Sequence, residues 1–276
     1  MAGLSMSWAR IMAPVAGGDA DAGVLAAAKA VAAPFEAELA CVYAPADVAD
    51  LMPWMGEGFM GGVQVTAVQS LKDAAAEGER AARAACEAAD YGRKSFTPLA
   101  SPVWSALSME GRLSDVVVFD DATAKGKGPL AESFQQIVAD EQRPTIVARA
   151  GLGVGGVVAV AWDGGKEASR AARTALPLLQ RASRVVILAA PASSARYFDP
   201  ARLQSFFQVR GVASELQTLT EQGDPGQALM RAARQAGANL LVAGAFGHPR
   251  LQEYIFGGTT RAFLNAPDAP SLFLSH

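Results

Sequence analysis

The apolar residues of this chain fall in short runs, separated by alanine-rich stretches with helical spacing. Residues 156–162 form one run, with the length and composition of a buried strand. Across 166–181, Ala168, Ala171, Ala172, Ala175 and Leu179 recur at helical spacing, and Pro177 within that span predicts a kink. Residues 184–189 are a second strand-length run, and 199–209 read as a short helix. From 213 to 220 apolar and polar positions alternate, as in a strand near a sheet edge. Asp224 is a good N-cap and Pro225 suits a first helical turn, so a helix is predicted to run to Ala236. Residues 239–243 predict a strand, 258–265 a helix and 271–274 a last strand. Short apolar runs joined by helices imply a parallel sheet covered on both faces. Right-handed crossovers then give a doubly wound order, with ligands at the carboxyl ends of the strands.

The pattern occurs twice, which is the mark of a duplicated unit. Ile11 opens a run that ends at Gly17-Gly18, and Val158 opens one that ends at Gly164-Gly165, 147 residues later. Ala44-Pro45 answers Ala190-Pro191 at an offset of 146. The run from Leu113 to Phe119 answers the one from Ala238 to Ala243, and Arg143-Pro144 answers Ala269-Pro270. The fold predicted is α/β: two tandem doubly wound units, each a five-stranded parallel sheet in the order 3-2-1-4-5 with helices on both faces. Their expected bounds are 1–150 and 155–276, with the glycine-rich 150–156 as linker. The first unit carries an extra loop, 47–62, and then a long alanine-rich helix over 64–90. Trp54, Met55, Phe59 and Met60 in that loop either offer a partner surface or fold back over the protein, the commoner fate of apolar side chains on long loops.

Composition narrows the function classes. With 276 residues, 51% hydrophobic and 18% charged, the chain suits two compact domains. Net charge is −3 and no Lys/Arg run forms a patch, which argues against nucleic acid as the main partner. No stretch approaches the roughly 18 apolar residues of a membrane span, and the N-terminus does not read as a secretory signal. Cys41 and Cys86 are isolated, with no CxxC pattern, so they are expected as free, buried thiols in a reducing compartment, the cytoplasm. Two histidines, His248 and His276, are too few for a histidine metal site, and no acidic or cysteine cluster replaces them. No catalytic residue and no metal ligand is assigned.

The residues with candidate chemistry lie in the second unit. Gly244 and Gly247 follow a predicted strand, and Gly257, Gly258, Thr259 and Thr260 precede a predicted helix. Glycines allow close backbone approach to a ligand, and a helix N-terminus offers unpaired N–H donors and a dipole that favours anions. In a doubly wound sheet the first and fourth strands are neighbours, which sets Asp163 beside Gly244 at one crevice. Two readings are open from the residues themselves: a phosphate cradle, or turn glycines with a threonine capping the helix. His248, Arg250 and Arg261 are placed either toward a phosphate or in solvent, and Trp162 either stacks on a base or belongs to the core.

The spacing Gly244, two residues, Gly247, nine residues, Gly257 resembles the signature of the universal stress protein family. The opening strand that ends in Asp163-Gly164 and the turn Gln222-Gly223-Asp224-Pro225 are similar to the family as well, and the order of elements resembles it over nearly the whole chain as a tandem protein. The resemblance implies ATP binding, with magnesium, by Asp163, Gly244, Gly247, Gly257, Gly258, Thr259 and Thr260, with Ala189 and Ala243 beside the adenine. It also implies a stress-response or regulatory role, and at most slow ATP hydrolysis. Gly258 departs from the family, which most often has Ser or Thr there, so a hydroxyl contact falls to Thr259 or Thr260.

The first unit departs further. Aligning Pro144 with Pro270 sets Ala131-Glu132 where Gly257-Gly258 stand, and Ala16 stands where Asp163 does. Asp120-Asp121 follows the fourth strand in the place of Gly244, so this unit is not expected to hold a nucleotide in that way. Gly126-Lys127-Gly128 is a phosphate loop or, more commonly for such lysines, a solvated turn. The competing function is a tandem protein that binds no nucleotide and acts by homodimerisation or by docking a protein partner. The sequence leaves open whether the two units pair with each other or two chains pair.

Overall fold

The structure, a computed structural model, describes residues 7–45, 61–99, 103–189, 199–220, 223–245 and 258–276. Side chains are described from 69 onward in the second of these stretches and from 107 onward in the third. The first half runs β1 (Arg10–Val15), α1 (Asp21–Ala32), β2 (Glu38–Tyr43), α2 (Gly61–Ala88), β3 (Lys94–Pro98), α3 (Val103–Arg112), β4 (Val116–Asp120), α4 (Asp121–Ala124), α5 (Ala131–Ala139) and β5 (Thr145–Ala148). The second half runs β6 (Val157–Trp162), α6 (Lys166–Thr174), α7 (Leu176–Leu179), β7 (Arg184–Ala189), α8 (Ala201–Gln208), β8 (Glu215–Thr218), α9 (Pro225–Gln235), β9 (Leu240–Gly244), α10 (Gly258–Asn265) and β10 (Ser271–Ser275).

The strands form one ten-stranded sheet in the order β3-β2-β1-β4-β5-β10-β9-β6-β7-β8. Each half therefore has the predicted order 3-2-1-4-5, with all neighbours within a half parallel. The central strands are buried on both faces because their sequences are nearly continuous apolar runs; β1, β2 and β6 each have five buried residues after the first. Alternate residues point to opposite faces, so Val116 and Val118 enter one core layer, Val117 and Phe119 the other. The outermost strand β8 has all four residues exposed, and Arg184 pairs with Glu215 along it at 2.7 Å.

Several predicted details are present. The helix over 166–181 breaks after Thr174, with Pro177 in the first turn of α7, where its missing N–H costs nothing. Asp224 caps α9 by accepting N–H bonds from Gly226 at 2.7 Å and Gln227 at 3.1 Å. The long first-half helix begins at Gly61. The loop residues 51–60 lie outside the described residues. β3 escapes the hydrophobic pattern, since Phe96 is its one large apolar residue and β3 is an edge.

The halves meet where β5 and β10 pair antiparallel, Thr145 opposite Leu274, Ile146 opposite Phe273 and Val147 opposite Leu272. Both core layers run across this seam. Trp8 stacks on Phe273 with centroids 6.1 Å apart and meets Phe35 at 5.1 Å. Arg149, almost fully buried, spans the seam. It donates to Asp121 Oδ1 at 2.7 Å, to the Pro270 carbonyl at 2.9 Å, and to the Phe263 and Leu264 carbonyls at 3.1 and 3.0 Å. Those last two carbonyls belong to the final turn of α10, so a cation from the first half caps a helix of the second.

Candidate functional site

Parallel strands put their carboxyl ends at one edge of the sheet, and every helix that precedes or follows them has its N- or C-terminus fixed accordingly. β6 lies between β9 and β7, with Val158 opposite Leu240, Val160 opposite Val242, and Trp162 opposite Ala189. The carboxyl ends of these strands thus bring Asp163, Ala189, Ala243 and Gly244 to one place. α6 leaves that end, while α9 and α10 begin there before running back to start β9 and β10. Three helix N-termini face the same region, a setting that favours a bound anion.

The β6–α6 turn is held by its own aspartate. Gly164 has φ +78°, which glycine adopts without strain. Asp163 is exposed, and its Oδ1 accepts the Gly165 N–H at 2.8 Å. Ala189 and Ala243 are buried and offer only a methyl-lined floor. Gly244 is required by packing: a Cβ there would lie 2.6 Å from Ala168 N and 2.8 Å from Glu167 Cβ, because the first turn of α6 rests on the end of β9. Glu167 is itself buried there, with Lys166 Nζ 3.4 Å from its carboxylate.

The start of α10 differs. Gly258 is exposed, and a Cβ on it would meet nothing within 4 Å among the described residues. Thr259 is also exposed, whereas Thr260 is buried between α10 and its neighbours. Of the two threonines, only Thr259 presents its side chain outward. Gly226 keeps this corner tight: its Cβ would fall 2.7 Å from Ala262 Cβ and 3.2 Å from Thr259 Cα. The sequence signal for that contact was a glycine inside the first turn of a helix, where it costs stability unless something approaches closely. Gly247, Gly257, His248 and Arg250 lie outside the described residues. Arg261 is exposed on α10, and Trp162 belongs to the core layer that packs on α6.

The strand ladders correct one point of the alignment between halves. Ile11 pairs with Val116 as Val158 pairs with Leu240, so Asp120 corresponds to Gly244, as expected. Val117 pairs with Thr145 as Leu241 pairs with Leu272, which moves the last segment by one residue from the Pro144–Pro270 match. Helix starts agree, Ala131 with Gly258. Glu132 therefore stands where Thr259 does. The error came from the prolines, which sit in loops free to slide, whereas ladder register is fixed by the pleat.

In the first half the corresponding end is filled by the chain itself. Tyr43, in the place of Ala189, donates its hydroxyl to the Ala75 carbonyl of α2 at 2.8 Å. Gly17 and Gly78 touch so closely that a Cβ on Gly17 would lie 2.4 Å from the Gly78 carbonyl oxygen. Asp21 accepts N–H bonds from Ala16 at 3.0 Å and Gly17 at 2.8 Å, so a carboxylate of α1 occupies the loop amides. Burial pushes the Asp21 carboxyl above its ordinary value against the pull of these backbone bonds, and Asp120 nearby adds to the rise. Asp120 is committed to capping α4, accepting from Thr123 N at 2.8 Å and Thr123 Oγ1 at 2.7 Å. Lys125, Gly126, Lys127 and Gly128 are all exposed, as a solvated turn would be.

Fold and site define a doubly wound α/β protein with two copies of one unit on a continuous sheet. Residues 156–274 match the sequence model of the Universal stress protein family. A universal stress protein from Archaeoglobus fulgidus DSM 4304 superposes with TM-score 0.63 at 12% identity, over 96% of this chain and 95% of that one. A functionally unknown protein from Pseudomonas aeruginosa PAO1 superposes with TM-score 0.57 at 12% identity, over 97% of this chain and 92% of that one. These full-length likenesses extend the same fold over the first half. No curated protein sequence matches the chain. No described helix is long and apolar enough to cross a membrane.

Proposed function

We propose that residues 155–276 are a nucleotide-binding domain that takes ATP with magnesium at the carboxyl ends of β6 and β9. Residues 1–150 then form a degenerate copy that holds none. The protein acts in this reading as a nucleotide-dependent stress or regulatory protein, with no catalytic residue assigned. The observation that carries the reading is the start of α10. Gly258 is exposed, a Cβ on it would meet nothing within 4 Å among the described residues, and Thr259 stands exposed beside it. Backbone N–H groups and a hydroxyl there suit a phosphate. The charge distribution agrees. Residues 1–150 hold 12 Lys/Arg against 19 Asp/Glu, whereas residues 151–276 hold 12 against 8. The field around the second half thus favours an anionic ligand. In this assignment Asp163, Ala189, Ala243, Gly244, Gly247, Gly257 and Gly258 surround the nucleotide and Thr259 reaches a phosphate. Thr260 serves the packing of α10.

A second reading has its own support. Asp163 is occupied by Gly165 and Gly244 by the first turn of α6, so each has a use without a ligand. A protein that works by docking or dimerisation would keep both. Calorimetric titration of ligand-stripped protein with ATP and magnesium separates the two. One saturable site per chain, lost in Thr259→Glu, supports nucleotide binding; no heat at millimolar ATP overturns it. Bulky substitutions of Gly244 do not serve, because they disturb α6 whether or not a ligand binds.

A further inference from the structure

Cys41 and Cys86 are 45 residues apart in sequence and in direct contact in the fold, Sγ to Sγ at 2.7 Å. Both are buried, Cys41 in the middle of β2 and Cys86 in the last turn of α2. We propose that they are a disulfide-forming pair, a covalent link between β2 and α2 that the chain closes when it meets a peroxide.

The placement is firm on both sides. Cys41 sits within the ladder, opposite Ala13 on β1 and Phe96 on β3. The end of α2 is tied to β3 by Lys94, whose ammonium donates to the Glu87 carbonyl at 2.7 Å and the Ala89 carbonyl at 2.5 Å. The two side chains therefore face each other across a helix–sheet contact that does not need to move. A disulfide requires sulfurs about 2.05 Å apart, so small side-chain rotations suffice.

Burial pushes the Cys41 thiol above its ordinary value, and its hydrogen bond with Cys86 adds to the effect. One of the two thiols, as its thiolate, attacks a peroxide oxygen. The O–O bond breaks, giving a sulfenic acid and hydroxide, which takes up a proton. The other thiol then attacks the sulfenic sulfur; the S–S bond forms and hydroxide leaves as water with that thiol's proton. Two thiols are oxidised by two electrons, and one hydrogen peroxide is reduced to two waters.

The test is intact-mass analysis of the full chain after hydrogen peroxide treatment, quenched by alkylation in denaturant. The expected result is a loss of about 2 Da with neither cysteine alkylated. A Cys41–Cys86 linked peptide should appear in the digest, with a melting temperature about 5 °C higher that dithiothreitol reverses. Cys41→Ala and Cys86→Ala should each show neither change. Two alkylated cysteines after treatment, a chain-to-chain link, or sulfinic acid on an unlinked monomer would each overturn the pairing. Should the alanine variants fail to fold, the mass and the peptide map of the unaltered chain decide alone.

Discussion

The two halves share a backbone plan and differ in what occupies the carboxyl end of each sheet. In the first, Tyr43, Gly78 and Asp21 close the space with the chain's own groups, and the loop amides of Ala16 and Gly17 are already bonded to a carboxylate. In the second, the buried Ala189 stands in the place of Tyr43 and α10 starts with an exposed glycine and an exposed threonine. A fold that binds through backbone N–H groups can be silenced by a single well-placed acid, because the acid satisfies the donors a ligand would use.

That comparison can be broken most severely at its frame. Arg149→Ala leaves Asp121 with Lys125 alone and takes the side-chain donor from the Phe263 and Leu264 carbonyls of α10. The expected loss is roughly 3 kcal/mol, the lower end for a broken buried pair because Asp121 is about one-third exposed. Urea denaturation reads it, and a midpoint unchanged from the parent would show that the seam does not depend on Arg149.

Importing the first half's residues into the second sharpens the comparison. Gly244→Asp sets a side chain against Ala168 N and beside buried Glu167, with an expected loss of roughly 2–3 kcal/mol in stability. Thr259→Glu imports the equivalent of Glu132 at an exposed position. An acid at a helix start is tolerated or mildly stabilising, so melting should be unchanged while ATP affinity falls about 100-fold, or roughly 2.7 kcal/mol. Equal affinities by calorimetry would remove Thr259 from the site.

The smallest effect is a pH dependence. Asp21 has its folded pKa raised, so its contribution to stability is present below the ordinary carboxyl value near 4 and declines as pH rises through the folded value. Asp21→Asn should flatten that decline, visible in urea midpoints taken between pH 4 and 7. Asp121 runs the other way. Burial would raise it, but hydrogen bonds from Lys125 and Arg149 outweigh burial and hold it below the usual range. Its contribution is full above pH about 4 and lost as pH falls through the lowered value.

Much of this was legible because strand identity here is written in apolar runs. The duplicated order, the Pro177 break and the Asp224 cap all follow from local chemistry. The seam was not legible. Nothing local says that the edge of β5 should meet the edge of β10 in reverse direction, and Arg149 looks like any loop arginine until the fold brings it to α10. At the candidate site, the glycine spacing includes Gly244, which ends β9, while Gly247 and Gly257 lie outside the described residues. It did not distinguish Gly244, which packing demands, from Gly258, whose Cβ would meet nothing within 4 Å among the described residues, and only neighbours distant in sequence make that distinction.

The antiparallel junction of β5 with β10 has a consequence for how the molecule changes over time. Two separate copies that pair must both carry every substitution, so a change that ruins one pocket ruins its twin. Here the pairing is written into one chain, and its strength does not depend on how many molecules are present. Each half is free to drift while the other keeps its role, and the closed end built from Tyr43, Gly78 and Asp21 is what such freedom leaves behind.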